Sequence, residues 1–252
     1  MNRVLASIAA AAIALAGAAS GTQAQTADEV VEKHLAAMGG RAALAKLTSQ
    51  VATGTVAISV QGADIPGSVE ISRKAPNKAR TFIRLDLSGL GGSEMTVDQR
   101  CDGKTAYAAN SMQGDREITG SQLQGMLNNT FPTSLLAYKD AGAKVELVGR
   151  DTVGGRPVLA LLYTPKAGPA AKMFLDAETF LVARTVTTVD VPEAGGPMEQ
   201  TSDVADYRAI DGIKVPFSIR TTSPIQTVAI TLSKVEFNTT LDDAIFSRPV
   251  VK

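Results

Sequence analysis

The chain has 252 residues, 44% hydrophobic and 20% charged, with 25 Lys and Arg against 25 Asp and Glu. That balance excludes the basic excess with which nucleic-acid binders displace counterions, and no cluster of Lys and Arg is present to dock on anionic lipid. A single cysteine excludes an intrachain disulfide, a single histidine leaves no ligand set for a transition metal or other cofactor, and the length fits one large domain.

The first residues read as an export signal. Arg3 brings one positive charge, Val4 to Ala16 form an apolar run too short to cross a bilayer as a stable helix, and small residues lead to Thr22-Gln23-Ala24. Cleavage after Ala24 is expected to remove residues 1–24 and leave residues 25–252 as a single domain without a stable membrane anchor. With no cysteine near the cut, there is nothing to carry a lipid. Loss of Arg3 takes the basic count from 25 to 24, against 25 acidic residues.

A helix is expected next. Thr26 and Glu29 have the spacing of a capping box, ahead of apolar Val31, Leu35 and Met38. Gly39-Gly40 stops the pattern, and Arg41 to Leu47 can add a further turn or two. His34 is expected at the edge of this packed helix.

From Gln50 the period changes to two, with Val56, Ile58 and Val60 opposite Thr55, Ala57 and Ser59. Ile83, Leu85 and Leu87 alternate in the same way, as do Val228, Ile230 and Leu232. Turn signals at Gln61 to Gly67, Ala75-Pro76-Asn77, Gly89 to Gly92, Asp102-Gly103, Gly154-Gly155 and Asp211-Gly212 separate the runs, and Val191 to Pro197 reads as an exposed loop. Short strands and tight turns predict a mainly β (α+β) fold built on an antiparallel sheet with one buried face. Ser121 to Ala141 breaks the rhythm with Leu123, Met126, Leu127, Phe131, Leu135, Leu136 and Tyr138, and Pro132 is placed to open a second helix there. This insertion has two readings, a fixed plug on the concave side of a curved sheet or a movable cover over a cavity.

Catalytic signals are sparse. No nucleophile elbow, dinucleotide turn or phosphate loop occurs, and Cys101 stands beside Asp102, whose charge opposes thiolate formation. Asp242-Asp243, Asp203 with Asp206, and Glu94 with Asp98 are the visible carboxylate pairs. Alternation puts Asp98 opposite Met95 and Val97, on a face expected to meet water. An enzyme is not expected.

Four pieces, in order, resemble the periplasmic lipoprotein-carrier superfamily of LolA/LolB-like half-barrels. They are the N-terminal helix with Gly39-Gly40-Arg41-Ala42-Ala43-Leu44, the basic hairpin Ser72 to Arg80, the strand-turn-strand around Asp102-Gly103-Lys104-Thr105-Ala106-Tyr107, and the closing Asp243-Ala244-Ile245-Phe246-Ser247-Arg248-Pro249. The resemblance implies a periplasmic protein with an antiparallel sheet curled into an unclosed half-barrel, helices on its concave side, and an apolar cavity that receives acyl chains. Under that fold the strand residues expected to line the cavity are Ile83, Leu85, Leu87, Met95, Val97, Val228, Ile230 and Leu232. Met126, Leu127, Phe131 and Leu135 are expected to cover them. The carrier has an arginine directly before the hairpin proline, where this chain has Ala75, and alternation sends the nearby Arg73 and Lys74 to opposite faces. Two functions follow from the fold: a carrier or binding protein for a lipid, acyl chain or other apolar ligand, or an envelope interaction module that binds a protein partner without a small ligand.

Overall fold

The computed structural model describes residues 25–191 and 195–248; the expected signal segment, residues 1–24, lies outside the described residues. The first helix, α1 (Ala27–Ala37), starts as the sequence predicts. The Glu29 amide donates to the Thr26 hydroxyl at 3.2 Å, and the Thr26 amide donates to the Glu29 carboxylate at 3.0 Å. Two amides that a helix start leaves without partners are thereby satisfied. Gly39, at φ 129°, turns the chain toward α2 (Arg41–Leu44). A Cβ there would lie 2.8 Å from the Gly212 carbonyl oxygen, so the close approach of the helix end to the sheet requires glycine.

Six strands follow as a meander: β1 (Ser49–Val60), β2 (Ala63–Lys74), β3 (Lys78–Asp86), β4 (Glu94–Cys101), β5 (Ala106–Asn110) and β6 (Gly114–Ile118). After α3 (Gly120–Asn128) comes a second meander of β7 (Lys144–Val153), β8 (Arg156–Thr164), β9 (Ala171–Asp176), β10 (Val182–Val191), β11 (Gly196–Ile210), β12 (Ile213–Thr222) and β13 (Thr227–Phe237). Antiparallel pairing of β1 with β13 joins them into one 13-stranded sheet, ordered β6-β5-β4-β3-β2-β1-β13-β12-β11-β10-β9-β8-β7. β6 and β7 are its two edges, so the sheet stays unclosed. Register shifts at Thr53/Gly54, Leu147/Gly149 and Val182/Arg184 add local twist. At Gly54 and Gly67 an added Cβ would fall 2.2 Å from Thr231 O and 2.1 Å from Arg84 O. Neighbouring strand backbones therefore crowd these positions in a way no side chain would allow, which suits a tightly coiled sheet.

The helices sit on the concave side. Val30, Val31 and Leu35 of α1, with Leu44 of α2, pack against Leu159, Leu161, Leu175, Val215, Phe217 and Val235. Full burial of each such side chain contributes roughly 1.5–3 kcal/mol. That packing holds α1, which is too short to be stable by itself.

Three expectations need correction. Pro132 does not open a second helix, and residues 129–143 run as turns. Tertiary contacts hold the segment instead: the Phe131 amide donates to Pro76 O at 2.7 Å, while Phe131, Leu135 and Tyr138 enter the core separately. The turn expected over Gln61 to Gly67 contracts to Gln61-Gly62, because Ala63 to Gly67 pair with β1. Of the loop expected at Val191 to Pro197, residues 192–194 lie outside the described residues, and Gly196 and Pro197 already pair in β11.

The chain after β13 crosses the convex face. Lys74 Nζ donates to Leu241 O at 2.9 Å, Lys74 and Lys78 both pair with Asp243, at 2.8 and 2.6 Å, and Arg100 donates to Ser247 O at 3.1 Å. Phe246 is fully buried beneath this segment.

Candidate functional site

Strand register arranges the concave face in rows. Ile230, Val56, Gly67, Leu85 and Met95 form one row, and Leu232, Gly54, Val69, Ile83 and Val97 the next. Below them run Val235, Ala52, Ile71, Thr81 and Gln99, and then Phe237, Gln50, Arg73, Ala79 and Cys101. Ile83, Leu85, Leu87, Met95, Val228 and Ile230 therefore meet in one apolar cluster, with Val56 and Val69 at its centre.

The helical candidates do not all cover that cluster. Phe131 and Leu135 belong to the α1 core, together with Leu232 and with Ile230 at its border. Met126 and Leu127 instead pack over Cys101, Ala106 and Ile118 at the β4–β6 end. Val97, beside Ile83, is half-buried and belongs to none of these groups.

Burial divides the candidates further. Leu85 is 1% exposed, and Leu232, Phe131 and Leu135 are also buried. Ile83, Leu87, Met95, Val97, Val228 and Ile230 remain half-buried, an apolar stretch that neither α1 nor α3 closes. Leu85 owes its burial to Gly67, its partner on β2: without a Cβ there, the Leu85 side chain lies across the strand. None of the candidates lines the cleft of about 510 Å³ at the α2 end, which is bounded by Gly39, Gly40, Lys46 and Asp211 among others.

α3 reaches across the mouth of the half-barrel. Its inner side chains rest on the β4–β6 end, Asn128 donates to Ala167 O at 2.7 Å in the β8–β9 loop, and Gly168 of that loop fits against Gln124 so closely that a Cβ would lie 2.7 Å away. None of its residues is fully buried. Its attachment is shallow.

One polar feature interrupts the concave face, and the sequence reading did not single it out as a site. Arg73 lies directly opposite Gln50, and among the described residues neither side chain has a hydrogen bond or ion pair. Burial, with no carboxylate to offset it, pushes the Arg73 guanidinium below its ordinary proton affinity. The neighbouring Lys74 goes to the convex face, as alternation requires. With Ala75 before the proline, Arg73 makes no bond to the insertion.

The convex face corrects another expectation. Asp98 does not meet water: it is 8% exposed and clamped by two arginines. Arg80 donates through Nε and Nη2 at 2.9 and 2.8 Å, and Arg100 through Nη2 at 2.7 Å. Burial works to raise the Asp98 pKa, and these bonds overcome it, leaving the carboxyl below its usual range. The other carboxylates singled out in the sequence are also tied to neighbouring groups, Glu94 to Arg84 at 3.8 Å among them. Asp203 pairs with Arg184 at 2.6 Å and Asp206 with Arg208 at 2.6 Å, while Asp242 caps the turn before Asp243.

Cys101 is buried, and burial raises its thiol pKa, with Asp102 adding to the effect. His34 is buried within α1, not at its edge, with Nδ1 2.8 Å from Phe180 O, and burial keeps its pKa low. No group of three or more His, Cys, Asp or Glu stands at metal-binding distance among the described residues, and no helix there is long and apolar enough to cross a membrane.

This architecture is that of the LolA-like half-barrels. The chain is similar to the crystal structure of a LolA superfamily protein from Nitrosomonas europaea, at TM-score 0.57 and 12% identity over 89% of this chain and 99% of that one. It is also similar to a DUF1329 family protein from Desulfovibrio piger, at TM-score 0.56 and 15% identity over 88% and 97%. A putative outer membrane lipoprotein-sorting protein domain from Vibrio parahaemolyticus matches at TM-score 0.53 and 11% identity, over 86% and 94%. No protein-family model matches the chain, and no curated protein sequence does.

Proposed function

We propose that this chain is an exported, periplasmic carrier or binding protein that takes up an apolar molecule, such as a lipid or an acyl chain, along its concave face. The observation that carries this reading is the half-buried patch of Ile83, Met95, Val97, Val228 and Ile230, which spans three adjacent rows of the concave face and which no helix among the described residues closes. An apolar surface left partly open within a concave fold is a ligand surface in waiting. The structural neighbour from Vibrio parahaemolyticus, a putative outer membrane lipoprotein-sorting protein domain, is in keeping with it.

The test is uptake of the neutral fluorophore N-phenyl-1-naphthylamine by the purified mature protein. Wild type is expected to enhance its emission, and Val97→Gln to weaken uptake several-fold while melting within a few degrees of wild type, since Val97 lies outside the closed clusters. No uptake by wild type, together with a protein chain found attached in native mass spectrometry of material from its own periplasm, would replace this reading with the interaction-module one.

A further inference from the structure

Arg73 is at odds with its surroundings. The strand rows around it, from β13 to β4, hold Phe237, Val235, Ala52, Ile71, Ala79 and Cys101, with Gln50, Thr81 and Gln99 as the polar members and no Asp or Glu. A guanidinium that gives up water on such a face loses solvation and regains nothing unless an anion meets it. Several other arginines obtain that anion from within the chain, Arg41 from Glu32, Arg80 and Arg100 from Asp98, Arg184 from Asp203 and Arg208 from Asp206, while Arg150, Arg220 and Arg248 are exposed to water. Among the described residues Arg73 has no such anion, and the amide opposite it, on a residue only 9% exposed, is equally unengaged there.

The two side chains are register partners on adjacent strands, which sets their Cβ atoms roughly 5 Å apart. A planar fork of donors beside an amide is suited to a carboxylate or a phosphate monoester. From Arg73 the apolar rows climb along β2 through Ile71, Val69 and Gly67 to Ile65, a span of roughly 26 Å at the usual rise of a strand. A polar anchor at one end and a long apolar track leading away from it match a single-chain amphiphile.

We propose that Arg73, assisted by Gln50, is the anion-binding end of the ligand site, so that the preferred ligand is an amphiphile with a carboxylate or phosphate head at Arg73 and its chain on the open apolar rows. This deepens the carrier reading and rests on it.

The test measures displacement of N-phenyl-1-naphthylamine by oleate, oleyl phosphate and uncharged oleyl alcohol, with inorganic phosphate and acetate as headgroup-only arms. A charge-assisted contact of this kind predicts that wild type binds the two anionic amphiphiles about tenfold or more tightly than the alcohol. Arg73→Met is expected to bind all three alike, at the alcohol's affinity, and Arg73→Lys to recover part of the preference. Equal affinity of wild type for oleate, oleyl phosphate and the alcohol, with fluorophore uptake intact, would overturn the anion site and leave the carrier reading standing. Absence of fluorophore uptake would remove both. Stabilisation of wild type but not Arg73→Met by inorganic phosphate, without any preference among the amphiphiles, would assign Arg73 to a free anion and overturn the headgroup proposal. The wild-type comparison among the three amphiphiles decides the matter even if a variant fails to fold.

Discussion

The two faces of β2, β3 and β4 hold arginines in opposite circumstances. On the convex face Arg80 and Arg100 converge on Asp98, and the C-terminal segment covers the neighbourhood, with Arg100 reaching Ser247 and Phe246 buried nearby. On the concave face Arg73 lies at the foot of the apolar rows with no counter-charge among the described residues. The same residue type, a few residues apart in the chain, is a structural clamp in one place and an open valence in the other. The difference comes from what the fold supplies to each face: carboxylates and a covering segment outside, aliphatic side chains and an unclosed mouth inside.

The strongest way to break the comparison is to remove the clamp. Asp98→Ala would leave two poorly exposed guanidinium groups facing each other, with 20% and 16% of their side chains accessible. A loss of about 4 kcal/mol is expected in urea unfolding, because uncompensated buried charge is costly. A loss below about 1 kcal/mol would mean that water already serves both arginines and that the clamp is not structural.

Within the concave face the contrast is between closed and open packing. Leu85→Ala should cost about 3 kcal/mol, since the removed methyl groups leave a void over Gly67. Ile83→Ala, at a half-buried position on the same strand face, should cost clearly less and should weaken uptake of the fluorophore more. Equal costs in urea would show that the two residues share one closed core.

The sequence supplied the faces but not what covers them. Alternation correctly placed Ile83, Leu85 and Leu87 together, and Arg73 and Lys74 apart, because side-chain direction in a strand has a strict period. The capping box at Thr26 was legible for the same reason: its chemistry is local. Asp98 was misread since nothing in β4 announces that a segment more than a hundred residues later will lie over its face. Pro132 was misread because tertiary contacts hold its segment, with the Phe131 amide bonded to Pro76 O in the distant β2–β3 turn and Phe131, Leu135 and Tyr138 buried in the core. Of the candidate site, the apolar face was legible and its division into closed and open parts was not. That division depends on Gly67, whose role appears only once β2 and β3 are in register. Arg73 had a signal, a cation sharing the face of Ile71 and Val69, but its lack of a partner is a tertiary fact.

A smaller effect should appear with pH. Asp98 is held below its usual range in the folded state, so the stability it contributes is fully present above the unfolded carboxyl value near 3.8 and is lost as pH falls through the lower folded value. Asp243, drawn down to about 2 by Lys74 and Lys78, acts in the same direction at the C-terminal segment. The melting temperature should therefore fall as pH drops from about 4 toward 2. Asp98→Asn should flatten that slope, and an unchanged slope would assign acid sensitivity to other carboxylates.

The smallest expected effect completes the comparison. Arg73→Met keeps an unbranched apolar stem and removes a charge that no group among the described residues neutralises. If the concave arginine contributed to the fold as the convex pair does, this variant would lose several kcal/mol. The expectation is a change within about 0.5 kcal/mol of wild type, or a gain, because exchanging an unpaired half-buried cation for an apolar side chain of similar volume relieves a desolvation cost. Urea unfolding of ligand-free protein gives this directly, and it must be ligand-free, since an anionic amphiphile carried through purification would stabilise wild type by mass action and imitate a structural role. Delipidation before the measurement separates the two. A wild type that loses stability on delipidation until it matches Arg73→Met would locate the stabilising anion in the ligand, whereas a delipidated wild type still several kcal/mol above the variant would place Arg73 among the structural arginines.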